Sequence, residues 1–206
     1  GGYHAVKMSR YQDIIDGYIS QGNKQVLNML NTKYIIGQDG QVNINEDAMG
    51  AAWFVQNVIP VQSPDAEYRQ LENLNVSTSA VVNEEEYGSV LDDQLEYSVG
   101  SVVRVQSIPD DLIYQTQNEG VGLLVFSEIF YDGPGWVATI DGEEVPLIRA
   151  NFLLRAVKVP AGEHEVRLRF RPNSYFLGEK ISFGSSLFVG LLMLFYFFGY
   201  KRKQNL

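Results

Sequence analysis

Residues 131–172, YDGPGWVATIDGEEVPLIRANFLLRAVKVPAGEHEVRLRFRP, carry the pattern that decides the fold. The apolar, β-branched run Trp136–Ile140 is followed by Asp141-Gly142, two residues that tolerate the positive φ of a tight turn. Strand character resumes over Val145–Ile148, and a third run covers Phe152–Val159. The stretch therefore predicts a β-hairpin followed by a further strand.

The end of this stretch, Glu165–Arg171, alternates strictly between apolar and basic side chains. Such alternation is typical of a strand with one buried face. One face would carry Val166, Leu168 and Phe170, and the other Arg167, Arg169 and Arg171. We interpret the arginine face as the solvated side of an antiparallel sheet. The alternative is an anion- or sugar-binding surface, since arginine offers a planar fork of donors.

Upstream of residue 131, short strands recur with turn signals between them, over Ser101–Ile108, Leu112–Gln117 and Val121–Ile129. This spacing predicts an antiparallel sandwich or jelly roll. The chain begins differently, because apolar residues between Val6 and Ile19 form one helical stripe and Lys24–Leu30 continues as a second short helix. The predicted class is mainly β with N-terminal helices, an α+β fold.

The predicted organisation has four parts. Residues 1–100 form a helical and mixed N-terminal part, and residues 101–178 form the antiparallel β-sandwich. Residues 181–200 form a transmembrane helix, and residues 201–206 form a tail. The chain starts with Gly-Gly, which we interpret as a sign that it is a piece of a longer protein.

The predicted membrane span is Ile181–Tyr200, ISFGSSLFVGLLMLFYFFGY, which contains no charged residue. At about 1.5 Å per residue its 20 residues cover roughly 30 Å, the thickness of a bilayer's hydrocarbon core. A buried core helix is the alternative. Lys201, Arg202 and Lys203 follow directly, and the positive-inside rule then places the C-terminus in the cytoplasm and residues 1–180 outside it.

Charge and cysteine content limit the classes of function. Residues 1–180 hold all 25 acidic side chains but only 13 of the 16 basic ones, a net charge of −12. This sign argues against a nucleic-acid partner. The absence of cysteine excludes disulfides and cysteine-ligated metal. Within the span, Ser186 and Gly190 form a small-x-x-x-small pair that would allow a second helix to approach closely.

A search for catalytic patterns finds none. The sequence contains no G-x-S-x-G elbow, phosphate-binding glycine loop or H-E-x-x-H motif. The run Glu84–Glu86 has the carboxylates of a glycoside hydrolase, but adjacent exposed glutamates are usually solvated. We interpret His164 as an exposed turn residue, and two distant histidines make no zinc site. No catalytic residue, metal or cofactor is expected.

Five residues remain as candidates for ligand contact. Tyr131 and Trp136 flank a Gly-Pro-Gly turn at the mouth of the hairpin, where aromatic faces can stack on sugar rings or pack into the core. Arg149 follows the run Val145–Ile148, and Arg155 lies in the next run, Phe152–Val159. His4 lies among aromatic and basic residues and is either a ligand-contacting group or a packed helix-start residue.

Four segments together resemble the carboxy-terminal region of the YfhO-like family of bacterial membrane proteins. They are GGYHAVKMSRYQDIIDGY, VLNMLNTKYII, MGAAWFV and residues 123–172, which begin LLVFSEIFYDGPGW. The resemblance runs through most of residues 1–200 and is weakest across residues 63–106.

This resemblance implies a polytopic protein of the bacterial cytoplasmic membrane, similar to the GT-C type glycosyltransferases that use lipid-linked sugars. The implied partners are the other transmembrane helices of the full-length protein and a polyprenyl-phosphate-linked sugar or envelope glycan. In such architectures the catalytic carboxylate lies on an early extracytoplasmic loop. No catalytic residue is therefore carried over onto this sequence, and the resemblance leaves open whether the full-length protein transfers a sugar.

The sequence supports two main hypotheses. In the first, the chain is the accessory, non-catalytic extracytoplasmic domain and last membrane helix of a YfhO-like protein that acts on cell-envelope glycopolymers. In the second, it is a membrane-anchored β-sandwich module that binds carbohydrate or protein. Further hydrophobic spans upstream of Gly1 would favour the first hypothesis, and a signal peptide would favour the second. A third hypothesis, an independent soluble hydrolase, is the least favoured because no catalytic pattern is present.

Overall fold

The computed structural model describes residues 8–37, 39–91, 96–131 and 133–204, with side chains as far as Leu194. Five α-helices lie in these ranges: α1 Ser9–Ile14, α2 Lys24–Met29, α3 Pro64–Gln70, α4 Glu84–Leu91 and α5 Asn173–Gln204. A π-helical turn, Ile15–Ile19, extends α1, and a 3₁₀ turn, Leu71–Asn73, extends α3.

Side-chain caps start two of these helices. The Asn23 side chain accepts a hydrogen bond from the backbone N–H of Val26 at the start of α2. At α3 the hydroxyl of Ser63 accepts from the backbone N–H of Ala66, and Pro64 occupies the first helical position. Each cap satisfies a backbone donor that the first turn of a helix leaves without an intrahelical partner.

Thirteen strands lie in the described ranges. They are β1 Tyr34–Ile36, β2 Val42–Ile44, β3 Ala52–Val55, β4 Asn57–Val61, β5 Ser79–Asn83, β6 Gly100–Ile108, β7 Asp111–Asn118, β8 Gly122–Ile129, β9 Trp136–Ile140, β10 Glu143–Val145, β11 Ile148–Ala150, β12 Leu154–Val159 and β13 Gly162–Phe170.

Two antiparallel sheets form a sandwich, which confirms the predicted fold class. The five-stranded sheet has the order β10-β9-β13-β7-β6, and the four-stranded sheet has the order β11-β12-β8-β3. The core between them contains Phe54, Leu124, Phe126, Val157 and Val159 from the four-stranded sheet, and Leu112, Tyr114, Ala138, Ile140, Val166 and Leu168 from the five-stranded sheet.

A third layer covers the outer face of the four-stranded sheet. Trp53, Val125 and Leu154 on that face pack with residues from α1, α2, α3 and the parallel pair β4-β5. Because both faces of the sheet are covered, residues 122–126 of β8 are buried without interruption and read as a continuous apolar run. Residues from the N-terminal half also enter the sheet itself, since β3 pairs with β8.

The predicted hairpin is present. Asp141 and Gly142 have φ values of 52° and 91°, and they join β9 to β10. The next strand departs from the sequence prediction: Val145 ends β10, and Ile148 begins β11, which pairs in the other sheet. The chain therefore crosses between the two sheets within the segment that the sequence pattern treats as one strand.

The arginines of β13 bind within their own sheet. The Nε of Arg167 lies 2.6 Å from Oδ1 of Asp111, the first residue of β7, and Nη2 of Arg169 lies 3.5 Å from Oδ2 of the same carboxylate. These guanidinium groups lower the pKa of Asp111 to about 2. The third arginine, Arg171, is exposed. Two of the three arginines on this face thus fix the β7–β13 pairing at one end.

The C-terminal helix α5 begins directly after the sandwich. Only Arg171 and Pro172 separate the end of β13 at Phe170 from Asn173. The 22 residues Asn173–Leu194 are long and apolar enough to cross a membrane. The helix starts eight residues before the predicted span at Ile181, so its first two turns contain polar residues that include Glu179 and Lys180.

His164 differs from the exposed turn residue that we expected, because it is half-buried within β13. Its Nδ1 lies 2.6 Å from Oδ2 of Asp141, and its Nε2 lies 3.2 Å from the carbonyl oxygen of Ala161. The protonated ring donates to both acceptors. The hydrogen bond to Asp141 raises the pKa of His164, and the same bond lowers the pKa of Asp141.

We expect His164→Gln to lower the free energy of unfolding by about 0.5 kcal/mol near pH 5, in the range of partly exposed ion pairs. His164 contributes stability below its unfolded pKa of about 6.5 and loses it as the pH rises through the raised folded pKa. Asp141 contributes above its unfolded pKa of about 3.9 and loses its part as the pH falls. Denaturant titrations at pH 5 and pH 9 should show the deficit only at pH 5, with Glu163→Gln as the control. A deficit of equal size at both values would contradict the ion pair.

Candidate functional site

Arg155 and Trp136, two of the predicted site residues, are in direct contact between the two sheets. The guanidinium carbon of Arg155, on β12, lies 3.7 Å from the centroid of the Trp136 ring, on β9. Its Nε donates to the carbonyl oxygen of Ile129 at 3.0 Å. Burial lowers the pKa of Arg155 to about 10, so the side chain stays charged at neutral pH. A cation on an aromatic face is stabilised by the ring quadrupole.

Trp136 lies at the edge of the sandwich core, between Arg155 and the last residue of β13. Its ring centroid is 5.4 Å from that of Phe170, its cross-strand partner. Trp136 is half-buried, whereas only 4% of Arg155 is exposed. A ligand at this edge would therefore contact the indole, and the buried Arg155 packs against the indole ring.

Tyr131 is the exposed member of the predicted set, with 44% of its surface accessible. It belongs to the loop that leads into β9, and its ring packs directly over Gly133, where an added Cβ would overlap the ring atoms. Gly135, in the same loop, has a φ of 133° and lies against the Phe170 ring, so a side chain there would be strained as well as crowded. The two glycines thus allow the Tyr131 and Phe170 rings to lie close to the backbone of one loop.

Arg149 lies in a different place, within a buried cluster of charged side chains. Its Nη2 lies 2.8 Å from Oε1 of Glu86 on α4 and 3.6 Å from Oε2 of Glu67 on α3. The guanidinium carbon lies 5.6 Å from the ring centroid of Tyr87 and 6.0 Å from that of Phe130. Arg149 and Arg155 are cross-strand partners in the β11–β12 pair, yet their guanidinium groups have separate partners.

Glu67 is the centre of this charged cluster and has no exposed surface. Its Oε1 accepts the backbone N–H of Phe152 at 2.8 Å, and its Oε2 lies 4.0 Å from Nη1 of Arg10 on α1. Burial raises the pKa of Glu67, and Arg149, the Phe152 N–H and Arg10 act against that rise. The side-chain hydrogen bond to Arg149 lowers the pKa of Glu86 against the opposing effect of its burial.

The turn between β11 and β12 joins the charged cluster to the third layer. Asn151 and Phe152 both have left-handed backbone, with φ of 51° and 66°. The side-chain Oδ1 of Asn151 accepts the backbone N–H of Val81 at 2.9 Å, and the backbone N–H of Asn151 donates to the Val81 carbonyl at 2.8 Å. Asparagine tolerates this conformation, and the contacts with Val81 and Glu67 offset the strain at Phe152.

The predicted site residues therefore lie in two separate places in the structure. It brings Trp136 and Arg155 together, places Tyr131 in the adjoining loop, and places Arg149 in the charged cluster. His4 lies outside the described residues. Sequence reasoning missed Glu67 and Arg10, and it interpreted Glu86 as a solvated member of the run Glu84–Glu86, whereas Glu86 binds Arg149. A signal exists for Glu67, because it lies one turn before the buried Leu71 and shares its helical face. A carboxylate at an apolar helical position indicates a buried cation partner.

A cleft of about 490 Å³ lies beside the charged cluster and is lined by Asp13, Asp16, Asp65, Tyr68 and Phe152. The Tyr68 and Phe152 rings meet edge to face at 5.3 Å. Among the residues that the structure describes, no group of three or more histidine, cysteine, aspartate or glutamate side chains could hold a metal ion.

Comparison with known proteins does not assign the chain to a group: no family model, no curated protein and no solved structure matches it.

Proposed function

We propose that this chain is the accessory, non-catalytic extracytoplasmic domain and last membrane helix of a YfhO-like polytopic protein. The full-length protein is related to GT-C type glycosyltransferases that act on cell-envelope glycopolymers. In this proposal α5 spans the bacterial cytoplasmic membrane, residues 1–180 are extracytoplasmic, and the C-terminus is cytoplasmic. The domain holds an envelope glycan or a polyprenyl-phosphate-linked sugar beside the other transmembrane helices.

The observation that carries the proposal is the direct connection between the aromatic edge of the sandwich and α5. Trp136 is paired with Phe170, and α5 begins three residues after Phe170. If α5 spans the membrane, the edge that presents Tyr131 and Trp136 faces the place where a lipid-linked sugar emerges. Aromatic rings at such a position can stack on a sugar ring, and the buried Arg155 holds the indole in place.

The accessory role agrees with the partners of the polar side chains in and near the candidate site, which are other groups of the domain. Arg149 binds both Glu67 and Glu86, and Arg155 binds the Ile129 carbonyl and the Trp136 ring. A general acid–base pair needs groups within hydrogen-bond reach of a substrate. Arg149, Arg155 and Glu67 are buried, and the exposed Tyr131 supplies a surface rather than a nucleophile.

The alternative function is a membrane-anchored β-sandwich module that binds carbohydrate or protein on its own. The same aromatic edge and the same helix support it. The two functions differ in the partner they need, because the accessory domain acts through the other helices of the full-length protein, whereas the module binds its ligand alone.

We expect the chain to bind envelope oligosaccharides weakly, and Tyr131→Ala to weaken that binding about fivefold, since a ring stacked on a ligand contributes about 1 kcal/mol. Tyr131→Phe keeps the ring and should bind like the parent. The measurement is an NMR titration of the full chain in detergent, with an assay for sugar transfer and hydrolysis on the same samples. Turnover by this chain would contradict the accessory role. Equal titration curves for the parent and Tyr131→Ala would remove the aromatic edge as the sugar-binding surface.

A further inference from the structure

One end of the sandwich is fixed next to α5 by backbone hydrogen bonds. The N–H of Phe170, the last residue of β13, donates to the carbonyl of Asp110 at 2.8 Å, and the N–H of Arg171 donates to the carbonyl of Gly135. Asp110 belongs to the β6–β7 turn, and Gly135 belongs to the loop that holds Tyr131. Both connections therefore lie beside the residues that lead into α5.

The strand registers place these two connections beyond the same end of the five-stranded sheet. Arg169 of β13 is opposite Asp111, the first residue of β7, and Phe170 is opposite Trp136, the first residue of β9. Residues 108–110, 131 and 133–135 lie outside those pairs, on the side where α5 begins. We call them the rim. Its exposed large hydrophobic residues are Ile108, 49% accessible, and Tyr131, 44% accessible.

The number of residues between the start of α5 and its uncharged segment determines how far the rim lies from the hydrocarbon core of the membrane. The polar start of the helix, Asn173–Lys180, has 8 residues, which rise about 12 Å above the first residue of the uncharged segment, Ile181. The headgroup zone is about 5–8 Å thick on each side of the hydrocarbon core. Asn173 then lies roughly 5 Å outside the headgroups for an upright helix, and closer for a tilted one. Side chains that extend from the rim reach the headgroup level.

Aromatic residues at the start of α5 occupy the same level. Tyr175, 64% accessible, and Phe176, 44% accessible, lie in the first turn of the helix. Tyrosine is enriched at membrane interfaces because its ring has an apolar body and a polar hydroxyl. Together with Tyr131 and Ile108, they place four exposed large hydrophobic residues near the point where the chain would enter the membrane.

We infer that the rim, through Tyr131 and Ile108, lies on the headgroups of the leaflet that α5 enters, and so holds the sandwich upright on the membrane. The occupant of this surface is the lipid bilayer itself. The inference rests on the proposed membrane span of α5. It goes further in giving the domain a second contact with the membrane and in stating which end of the sandwich faces it.

The chain contains no cysteine, so a single introduced cysteine can carry a fluorophore at a chosen depth. The full chain would be reconstituted into phosphatidylcholine vesicles as Ile108→Cys, Tyr131→Cys, Glu119→Cys or Leu187→Cys, each labelled with the same dye. Nitroxides on the lipid headgroup or on the acyl chain then report depth. Leu187 tests the span. Glu119 follows the last residue of β7, about 25 Å from the rim at the other end of the sheet.

Labels at residues 108 and 131 are expected to lose about half of their fluorescence to headgroup nitroxides, because the rim lies within roughly 5 Å of the headgroup zone. The label at residue 119 should lose almost none, and the label at residue 187 should respond to acyl-chain nitroxides. Quenching at residue 187 without quenching at residues 108 and 131 would overturn the inference while the span stands. No quenching at residue 187 would remove the span and the inference with it. Equal headgroup quenching at residues 108 and 119 would show a domain lying on its side, which also overturns the inference.

Discussion

Replacing Arg149 with methionine is expected to lower the free energy of unfolding by about 3–5 kcal/mol, the cost of removing one partner from a buried ion pair. Glu67 has no exposed surface, and in this variant it would keep only the more distant Arg10 as a cation. Methionine fills much of the space of the arginine stem, so the loss of stability measures the removal of the charge rather than the creation of a cavity.

The pH dependence of this loss identifies its cause. The unpaired Glu67 would be protonated at low pH, which removes the buried charge. The raised pKa of Glu67 already shows that burial favours the neutral form. We therefore expect the difference between Arg149→Met and the parent to be largest near pH 8 and to shrink as the solution is acidified towards the unfolded glutamate pKa of about 4.3.

A second substitution separates the ion pair from the packing. The double variant Glu67→Leu and Arg149→Met should be more stable than Arg149→Met alone, because no charge remains buried without a partner. Arg69→Met, on the exposed face of α3, is the control and should change stability by less than about 0.5 kcal/mol. Denaturant titration in detergent can be followed by Trp53 and Trp136, since both tryptophans of the chain lie in the domain. A single variant as stable as the parent, or a loss that does not change with pH, would contradict the charged cluster as a source of stability.

The parts of the fold that local chemistry determines could be predicted from the sequence. The Asp141-Gly142 turn requires positive φ at two successive positions, and few residues other than these supply it. Strand β13 follows from its alternation, and the start of α3 follows from Ser63 and Pro64. Each of these depends on contacts between residues that are close in the chain.

The placement of Arg149 could not be predicted in this way. In the sequence it lies between the predicted strands Val145–Ile148 and Phe152–Val159, where no local pattern indicates a buried partner. In the structure it binds Glu67 and Glu86, which lie on two helices far away in the chain. The crossing from β10 to β11 was also not predicted: Pro146, which has no N–H for the sheet ladder, indicates that the strand is interrupted, but not that the chain continues in the other sheet. Both outcomes depend on tertiary packing between segments that are distant in the chain.

In the candidate site too, local sequence determines some features and tertiary contacts determine the others. The sequence places Tyr131 and Trp136 on either side of a Gly-Pro-Gly turn at the mouth of a hairpin, and in the structure Trp136 is the first residue of β9 and Tyr131 precedes that strand. The contact of Arg155 with Trp136 joins the two sheets of the sandwich, and no local pattern indicates which side chain will cover the indole. The aromatic edge was therefore predictable as a segment, and its buried support was not.

Phe126 should be the most sensitive single position in the core of the sandwich. It lies on β8, inside the four-stranded sheet, with no exposed surface. Its ring meets the edge of the Tyr114 ring from the opposite sheet, at a centroid distance of 4.9 Å and an interplanar angle of 65°. Its neighbours in the sheet are Ala52 on β3 and Arg155 on β12. The side chain thus contacts both sheets and lies beside the residue that supports Trp136.

We expect Phe126→Ala to lower the free energy of unfolding by about 3–5 kcal/mol, from the lost burial of the ring and the cavity that remains. The edge-to-face contact with Tyr114 accounts for about 1 kcal/mol of this. Phe126→Leu fills part of the space and should cost roughly a third as much, about 1–1.5 kcal/mol. Val103→Ala, on the exposed edge strand β6, serves as the control and should stay within about 0.5 kcal/mol of the parent.

The same titrations connect this core position to the proposed site. Because Phe126 is the cross-strand neighbour of Arg155, a cavity at position 126 should allow the guanidinium to move away from the Trp136 ring. The fluorescence of folded Phe126→Ala should then differ from that of the parent, while folded Val103→Ala should match it. Folded Phe126→Ala with the parent's stability would show that the two sheets do not depend on this contact. A destabilised variant whose folded state keeps the parent's tryptophan emission would show instead that the support of the aromatic edge is independent of the sandwich core.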